Sequence, residues 1–213
     1  LTSIYGACSA MRDNFDALPR QTHMKLLSDV CADAQWLVRM VENLLSVTRV
    51  DAATVRLSKN GTVLEELIDA VLVKFRKHYP DIDVHVEIPE EFVSIPMDAM
   101  LISQVLMNLL ENAVFHAKGM ENLRLRVEVK GSWAYFYVED DGCGIPEEKL
   151  SRLFTGMLDS ESPTDQSRSS MGIGLSVCSA IIKAHGGEIW ANKRVGGGTE
   201  VGFRLEMEDE NGE

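Results

Sequence analysis

The chain has 213 residues, 45% hydrophobic and 25% charged, which suits one large domain or a small one joined to a mid-sized one and is too apolar for disorder. Lysine and arginine total 21 against 33 acidic residues, a formal charge of -12, so the surface repels phosphate backbones and anionic lipids; nucleic acid is not expected as a partner, nor is membrane contact. The four cysteines are far apart and form no C-x-x-C pair, which argues against a zinc site or disulfide framework and fits a reducing, cytoplasmic setting.

Leu1, Ile4, Cys8, Met11 and Phe15 recur at spacings of three and four, the mark of one helix face. Leu27, Val30, Ala34, Leu37, Val41, Leu44 and Thr48 repeat the pattern, widened by Val38 and Leu45. A short loop over 16–20 would join the two into a helical hairpin covering 1–52. Such a hairpin cannot bury a wide apolar face alone, so dimerisation into a four-helix bundle is expected, the alternative being packing against the rest of the chain. The chain begins at Leu1, already inside the repeat, as expected of a piece of a longer protein.

Beyond residue 52 the pattern becomes mixed. Val55-Arg56-Leu57 is expected as a short strand, and Thr62-Val63-Leu64-Glu65 as a capping box opening a helix to about His78. Val84, Val86 and Ile88 alternate with polar residues as in a half-buried strand. Asp98 can cap a long helix through Leu101, Val105, Leu109 and Asn112 to about His116. Leu123–Lys130 and Trp133–Glu139 alternate as strands, and the serine-rich stretch over 160–170 lacks periodicity and is expected to be mobile. A helix from Gly172 to His185 and strands Glu188–Lys193 and Thr199–Leu205 follow, then an acidic tail over 208–213. The expected fold class is α+β: half of a dimeric four-helix bundle, then over 53–207 an α/β sandwich of one mixed sheet covered by helices.

Three glycine clusters punctuate the second part: Asp140-Asp141-Gly142-Cys143-Gly144-Ile145 after a strand, Met171-Gly172-Ile173-Gly174-Leu175 opening a helix, and Gly196-Gly197-Gly198-Thr199 before the last strand. Glycines let backbone approach a ligand, and a helix N-terminus offers free amides to phosphate; each cluster alone is equally a plain turn. Asn108 and Asn112 lie four apart and share one helix face. Asparagine is a mediocre helix former, so the pair reads either as two exposed residues or as hard oxygen ligands suited to Mg²⁺.

In this order the pieces resemble the catalytic region of sensor histidine kinases of two-component systems, within the ATP-binding superfamily shared with Hsp90, gyrase and MutL. Asn108-Leu109-Leu110-Glu111-Asn112-Ala113 resembles the N box, Asp140 to Ile145 the G1 box, Leu153-Phe154 the F box, Gly172 to Leu175 the G2 box, and Gly198-Thr199 with Phe203 the last glycine box. Arg39 to Leu45 resembles part of the dimerisation and phosphotransfer domain. The N box and Ala184-His185-Gly186-Gly187 are similar to the potassium-responsive Kdp-type branch.

The resemblance implies ATP and Mg²⁺ as ligands. By it, Asp140 accepts from the adenine amino group within the Gly142 and Gly144 loop, and Thr199 helps bind that ring. Ile145 and Leu175 wall the ring, and the amides of Met171, Gly172, Ile173, Gly174 and Leu175 cradle the phosphates. Asn112 coordinates Mg²⁺ with Asn108 alongside as the catalytic pair, and Phe154 anchors a lid. Relatives often reach phosphate with a cation where this chain has Phe115; either His116 or Arg168 from the lid would take its place, and His116 reads equally as an ordinary helix-end residue. It also implies phosphorylation of a histidine on a homodimer, transfer to the aspartate of a response regulator receiver domain, and a parent anchored in the cell membrane.

Two departures qualify this. The histidine segment that accepts phosphate would precede Leu1, so this stretch alone is not expected to phosphorylate itself. Asn108 stands where ATPases of the superfamily carry a water-activating Glu, and an amide cannot act as a base, which favours phosphotransfer over hydrolysis. The alternatives are a nucleotide-binding scaffold without catalysis, motivated by Phe115 and Ser170, and an ATPase or anti-sigma-type relative, disfavoured by the N-terminal heptads.

Overall fold

The computed structural model describes residues 2–15, 18–31, 33–34, 37, 57–150, 153–154 and 170–207. The chain divides into two compact units, Leu1–Thr48 and Arg49–Glu213. The first contains α1 (Thr2–Asp13) and α2, described over 20–31. Arg20, expected in the loop, is already helical, and the Pro19 carbonyl accepts from the amides of Thr22 and His23. No residue of α1 is buried, and Tyr5, Phe15, Met24 and Leu27 are exposed. Val38, Val41, Leu44, Leu45 and Thr48 of the second stripe, and the segment Arg39 to Leu45, lie outside the described residues.

The second unit opens with β1 (Asn60–Val63), which leads directly into α3 (Leu64–His78). The expected strand at 55–57 is not found at Leu57, and its first two residues lie outside the described set. The capping box does not form either. Thr62 is in β1, its hydroxyl bonded to the Asn60 carbonyl at 3.1 Å, and the helix cap is Val63 without a side-chain bond. Strand pairing decided the outcome: β1 runs antiparallel to β3 (Ser94–Met97), a strand with too little alternation to be foreseen, in a two-stranded sheet.

The larger sheet has five strands in the order β2-β4-β5-β7-β6: β2 (Val84–Glu87), β4 (Leu123–Lys130), β5 (Trp133–Asp140), β6 (Glu188–Lys193) and β7 (Thr199–Glu206). β2 joins β4 in parallel and the other pairs are antiparallel, so the sheet is mixed as expected. Leu125, Phe136 and Phe203 project to one face and are buried on the side covered by α4 (Ala99–His116) and α6 (Ser170–Ala184), with α3 packed on α4. Phe136 and Phe203 stack with ring centroids 4.6 Å apart. The opposite face carries charges in pairs, with the Arg126 guanidinium 4.1 Å from the Tyr137 ring. A four-residue helix, α5 (Glu147–Leu150), was not expected. Among the described residues no helix is long and apolar enough to cross a membrane.

Two contacts fix the ends of α4 and α6. The Asp98 carboxylate caps α4 as expected, accepting from the amides of Met100 and Leu101 at 3.2 Å. The Asp98 amide in turn donates to His185 Nε2 at 3.1 Å, just past the end of α6. Since an amide can only donate, Nε2 is the acceptor, and the ring proton sits on Nδ1, which donates to the Ile181 carbonyl at 2.8 Å. His185 is buried, and burial lowers its proton affinity, so it folds neutral. The unfolded chain then takes up a proton more readily than the native one, and stability falls as pH drops below the unfolded histidine value of about 6.5. His185→Ala should lose roughly 1–3 kcal/mol at pH 8 and show a flatter decline towards pH 5 than the unaltered chain. Urea denaturation across that range checks this; equal pH slopes would contradict it.

Candidate functional site

The C-terminal end of α4, the loop after β5 and the turn between β6 and β7 meet at one end of the sheet, and α6 packs along α4. Asp140 ends β5 and is 7% exposed. Its Oδ1 accepts from the amides of Gly142 at 3.0 Å and Thr199 at 3.3 Å. Among the described residues no donor is seen at Oδ2, and the Asp140 carbonyl accepts from Arg194 Nη1 at 2.8 Å. Burial raises the Asp140 pKa above the ordinary carboxylate value, opposed by the two amides and by the Arg194 charge.

Backbone proximity builds the rest. Gly198 has φ +88°, and a Cβ there would collide with the Asp140 carbonyl. Gly142 lies so close to Ala117 that a Cβ would come within 2.6 Å of the Ala117 Cβ. The Cys143 amide donates to the Lys118 carbonyl at 3.0 Å, further joining the loop to the end of α4. Asp141 completes that link. Its Oδ1 accepts from the amides of Glu121 at 2.8 Å and Asn122 at 2.9 Å, and these bonds with one from the Asn122 side chain hold its pKa down to about 2.

Asn108 and Asn112 share a face of α4, both half-buried. Asn108 bonds towards the thiol of Cys178 on α6, a cysteine whose full burial pushes its pKa to about 12. Asn112 Nδ2 is buried with no partner among the described residues, an unusual state for a donor that costs about 1–3 kcal/mol unless a ligand meets it. Glu111 lies on a different side, accepting from the Tyr79 hydroxyl at 3.3 Å, and Phe115 packs edge-on against Tyr79 at 6.0 Å.

The remaining expected residues fall as follows. Thr199 is buried, Gly144 and Ile145 are half-buried, and Gly144 takes φ +71° beside Gly198. Met171 and Gly172 lie in the first turn of α6, where amides lack helical acceptors, followed by Ile173 and by Gly174 and Leu175, the last two buried. Phe154 is half-buried in a turn beside buried Leu153, and His116 is half-buried at the end of α4. Of the stretch over 160–170 expected to be mobile, Ser170 instead opens α6 and the rest lies outside the described residues, as does the acidic tail over 208–213. The roles of Asp141 and Arg194 were not foreseen; the doubled acid at 140–141 and the Lys193-Arg194 pair before three glycines were the available signals.

A cleft of about 680 Å³ lies beside this region rather than in it, bordered by Glu147, Leu150, Asn192 and Arg194. Gly196 shares the positive φ of Gly198 but has open space where a Cβ would stand. Gly196→Ala should therefore cost about 1–3 kcal/mol of strain and Gly198→Ala more, since strain and collision add. Chemical denaturation of both variants checks the ranking.

Residues 97–209 match the family described as histidine kinase-, DNA gyrase B-, and HSP90-like ATPase. The chain is 32% identical over 209 residues to sensor protein KdpD of Clostridium acetobutylicum, covering 98% of this chain and 23% of that protein. It is 29% identical over 182 residues to sensor protein SrrB of Staphylococcus aureus, covering 84% of this chain and 31% of that one. The chain thus spans a quarter to a third of the length of these relatives. Among solved structures, histidine kinase ThkA in complex with response regulator protein TrrA superimposes with a TM-score of 0.75 at 25% identity, over 99% of this chain and 58% of that one. Acinetobacter baumannii histidine kinase AdeS, at 23% identity and a TM-score of 0.69 over 98% of this chain and 95% of that one, shares the fold. Residues 97–209 are more than half of the chain, which therefore belongs to the histidine kinase-, DNA gyrase B- and HSP90-like ATPase family.

Proposed function

We propose that the second unit binds Mg-ATP and serves as the catalytic part of a kinase that transfers the γ-phosphate to a histidine, and from there to a response regulator aspartate. The observation that carries this reading is the Asp140 carboxylate. One oxygen is held by two backbone amides, while the other is met by no described donor. An exocyclic amine such as that of adenine supplies the missing N–H, with Thr199 beside it and Ile145 and Leu175 as apolar walls. The amides of the first α6 turn at Met171 and Gly172 suit the phosphates.

Asn112 fits a metal shared with those phosphates. Its half-buried side-chain amide has an unmet polar atom, and turned about its terminal bond it presents a carbonyl oxygen at the same place. Among the described residues no group of three His, Cys, Asp or Glu could hold an ion alone, and Mg²⁺ bound to nucleotide needs no such cage. Mg²⁺ held there neutralises phosphate charge. Asn108, bonded towards Cys178, lines the same face and cannot take a proton from water. Glu111 is committed to the Tyr79 hydroxyl. Both features favour transfer to a nucleophile brought from elsewhere over hydrolysis.

The uncovered apolar residues of α1 and α2 support a homodimer built through the hairpin over 1–52, with the catalytic domain over 53–207 and a tail over 208–213. The TrrA complex of ThkA supports a receiver-domain partner, and kinship with sensor proteins supports a membrane-anchored parent with this chain in the cytoplasm. A second reading, a nucleotide-binding scaffold without transfer, is favoured by Phe115, which packs on Tyr79 and offers phosphate no cation.

Asp140→Asn should weaken ATP binding at least about tenfold in calorimetry, as a charged, buried acceptor is worth roughly 1.5–3 kcal/mol. In the longer protein that carries the acceptor histidine, Asn112→Ala should abolish acid-labile phosphate by removing a metal ligand. Binding of Mg-ATP by that longer protein without any acid-labile phosphate would establish the scaffold reading instead.

A further inference from the structure

We infer that Arg194 is a positioning residue for base recognition: by bridging the Asp140 carbonyl and the Glu139 carboxylate, its guanidinium fixes the direction of the Asp140 side chain. The inference rests on the reading of Asp140 as the acceptor for the adenine amino group.

The β5–β7 register runs from Trp133 opposite Glu206 to Glu139 opposite Glu200 and stops there. One residue further, the strands are joined differently. The Thr199 amide donates to the Asp140 side chain at 3.3 Å, and the Asp140 carbonyl is taken by Arg194 Nη1 at 2.8 Å. Asp140 is paired to Leu123 of β4 but lies past the last β5–β7 pair, so the Arg194 bond to its carbonyl takes the place of the missing strand contact and holds the backbone from which the carboxylate projects.

Its own anchorage is firm at both ends. The Arg194 amide donates to the Gly198 carbonyl at 3.2 Å, and its carbonyl accepts from the Gly197 amide at 3.3 Å, so the backbone is part of the glycine turn. At the other end Nε lies 3.8 Å from Glu139 Oε2. Glu139 is 6% exposed and is gripped from its far side by Arg126, with bonds of 2.9 and 3.2 Å, so it is a fixed counter-charge. Only a planar fork reaches a carbonyl and a carboxylate together; a lysine ammonium on its flexible stem is a point charge. The Arg194 charge also opposes the effect of burial on Asp140 and favours its ionised form.

The test measures binding of Mg-ATP and of Mg-purine riboside triphosphate, which lacks the 6-amino group, to the 213-residue chain by calorimetry. The unaltered chain should prefer ATP by roughly tenfold, the value of one such bond. In Arg194→Met, which keeps the stem, the preference should shrink to about threefold or less with little change for the analogue. A purely structural role would weaken both nucleotides alike, and an undiminished preference in the folded variant overturns the proposal. Should Arg194→Met fail to fold, Arg194→Lys serves: a reduced preference supports the proposal and an intact one overturns it. If the unaltered chain shows no preference, the reading of Asp140 itself falls and the role of Arg194 with it. A preference that persists through both variants removes only Arg194.

Discussion

The close approach of the end of β5 to the turn before β7 is possible only because position 198 has no side chain. There the Asp140 carbonyl occupies the space that a Cβ would fill, and the turn residue holds a φ of +88° that side-chain-bearing residues rarely adopt. Everything polar at the site follows from that proximity. It brings the Thr199 amide to the Asp140 carboxylate and lets Arg194 reach back to the Asp140 carbonyl. A similar closeness between Gly142 and Ala117, reinforced by Asp141, joins the same loop to the end of α4. The helix bearing Asn108 and Asn112 is thereby tied to the strand end bearing Asp140.

The cations of this acidic chain gather where a carboxylate is buried. Around the buried Glu139 carboxylate stand Arg124, Arg126 and Arg194, at 2.9 to 3.8 Å. A buried carboxylate is strongly unfavourable without such partners, and arginine provides them with several donors in one plane. The same arginines also meet Glu87, Glu128 and Glu200, so charges of both signs interleave beneath the strand end. That arrangement also explains how Asp140, one residue along, sits nearly as deep while still facing a positive charge.

Features governed by neighbours in sequence were legible in it. Asp98 caps α4 through its own next residues, and alternation marks β4 and β5 because each has one face on the core. The glycine clusters and paired asparagines were legible as an ordered set, although each is ambiguous alone. Features governed by distant neighbours were not. Thr62 has the spacing of a cap, yet pairing with β3, thirty residues on, draws it into a strand. β3 itself is four residues long with a proline inside, too short for periodicity to register. His185 reads as a helix-end residue, and nothing local shows that its ring accepts from an amide 87 positions earlier. Arg194 and Asp141 escaped notice for the same reason, since their partners are assembled by the fold.

The bond between His185 and the Asp98 amide joins α6 and α4 at the end opposite the first turn of α6. Mechanically, α6 is a rod pinned at its tail. Sliding along its axis would break a buried hydrogen bond and pull Gly187 from its seat against the Arg204 backbone, so axial displacement is the stiff direction. Rotation about the pin and unwinding of the leading residues are the soft ones, and the first five residues hold two glycines, Gly172 and Gly174, whose helical conformation is the least favourable to maintain. Compliance in α6 is therefore concentrated at its glycine-bearing N-terminus, while the tail serves as a fixed reference for the rest of the layer.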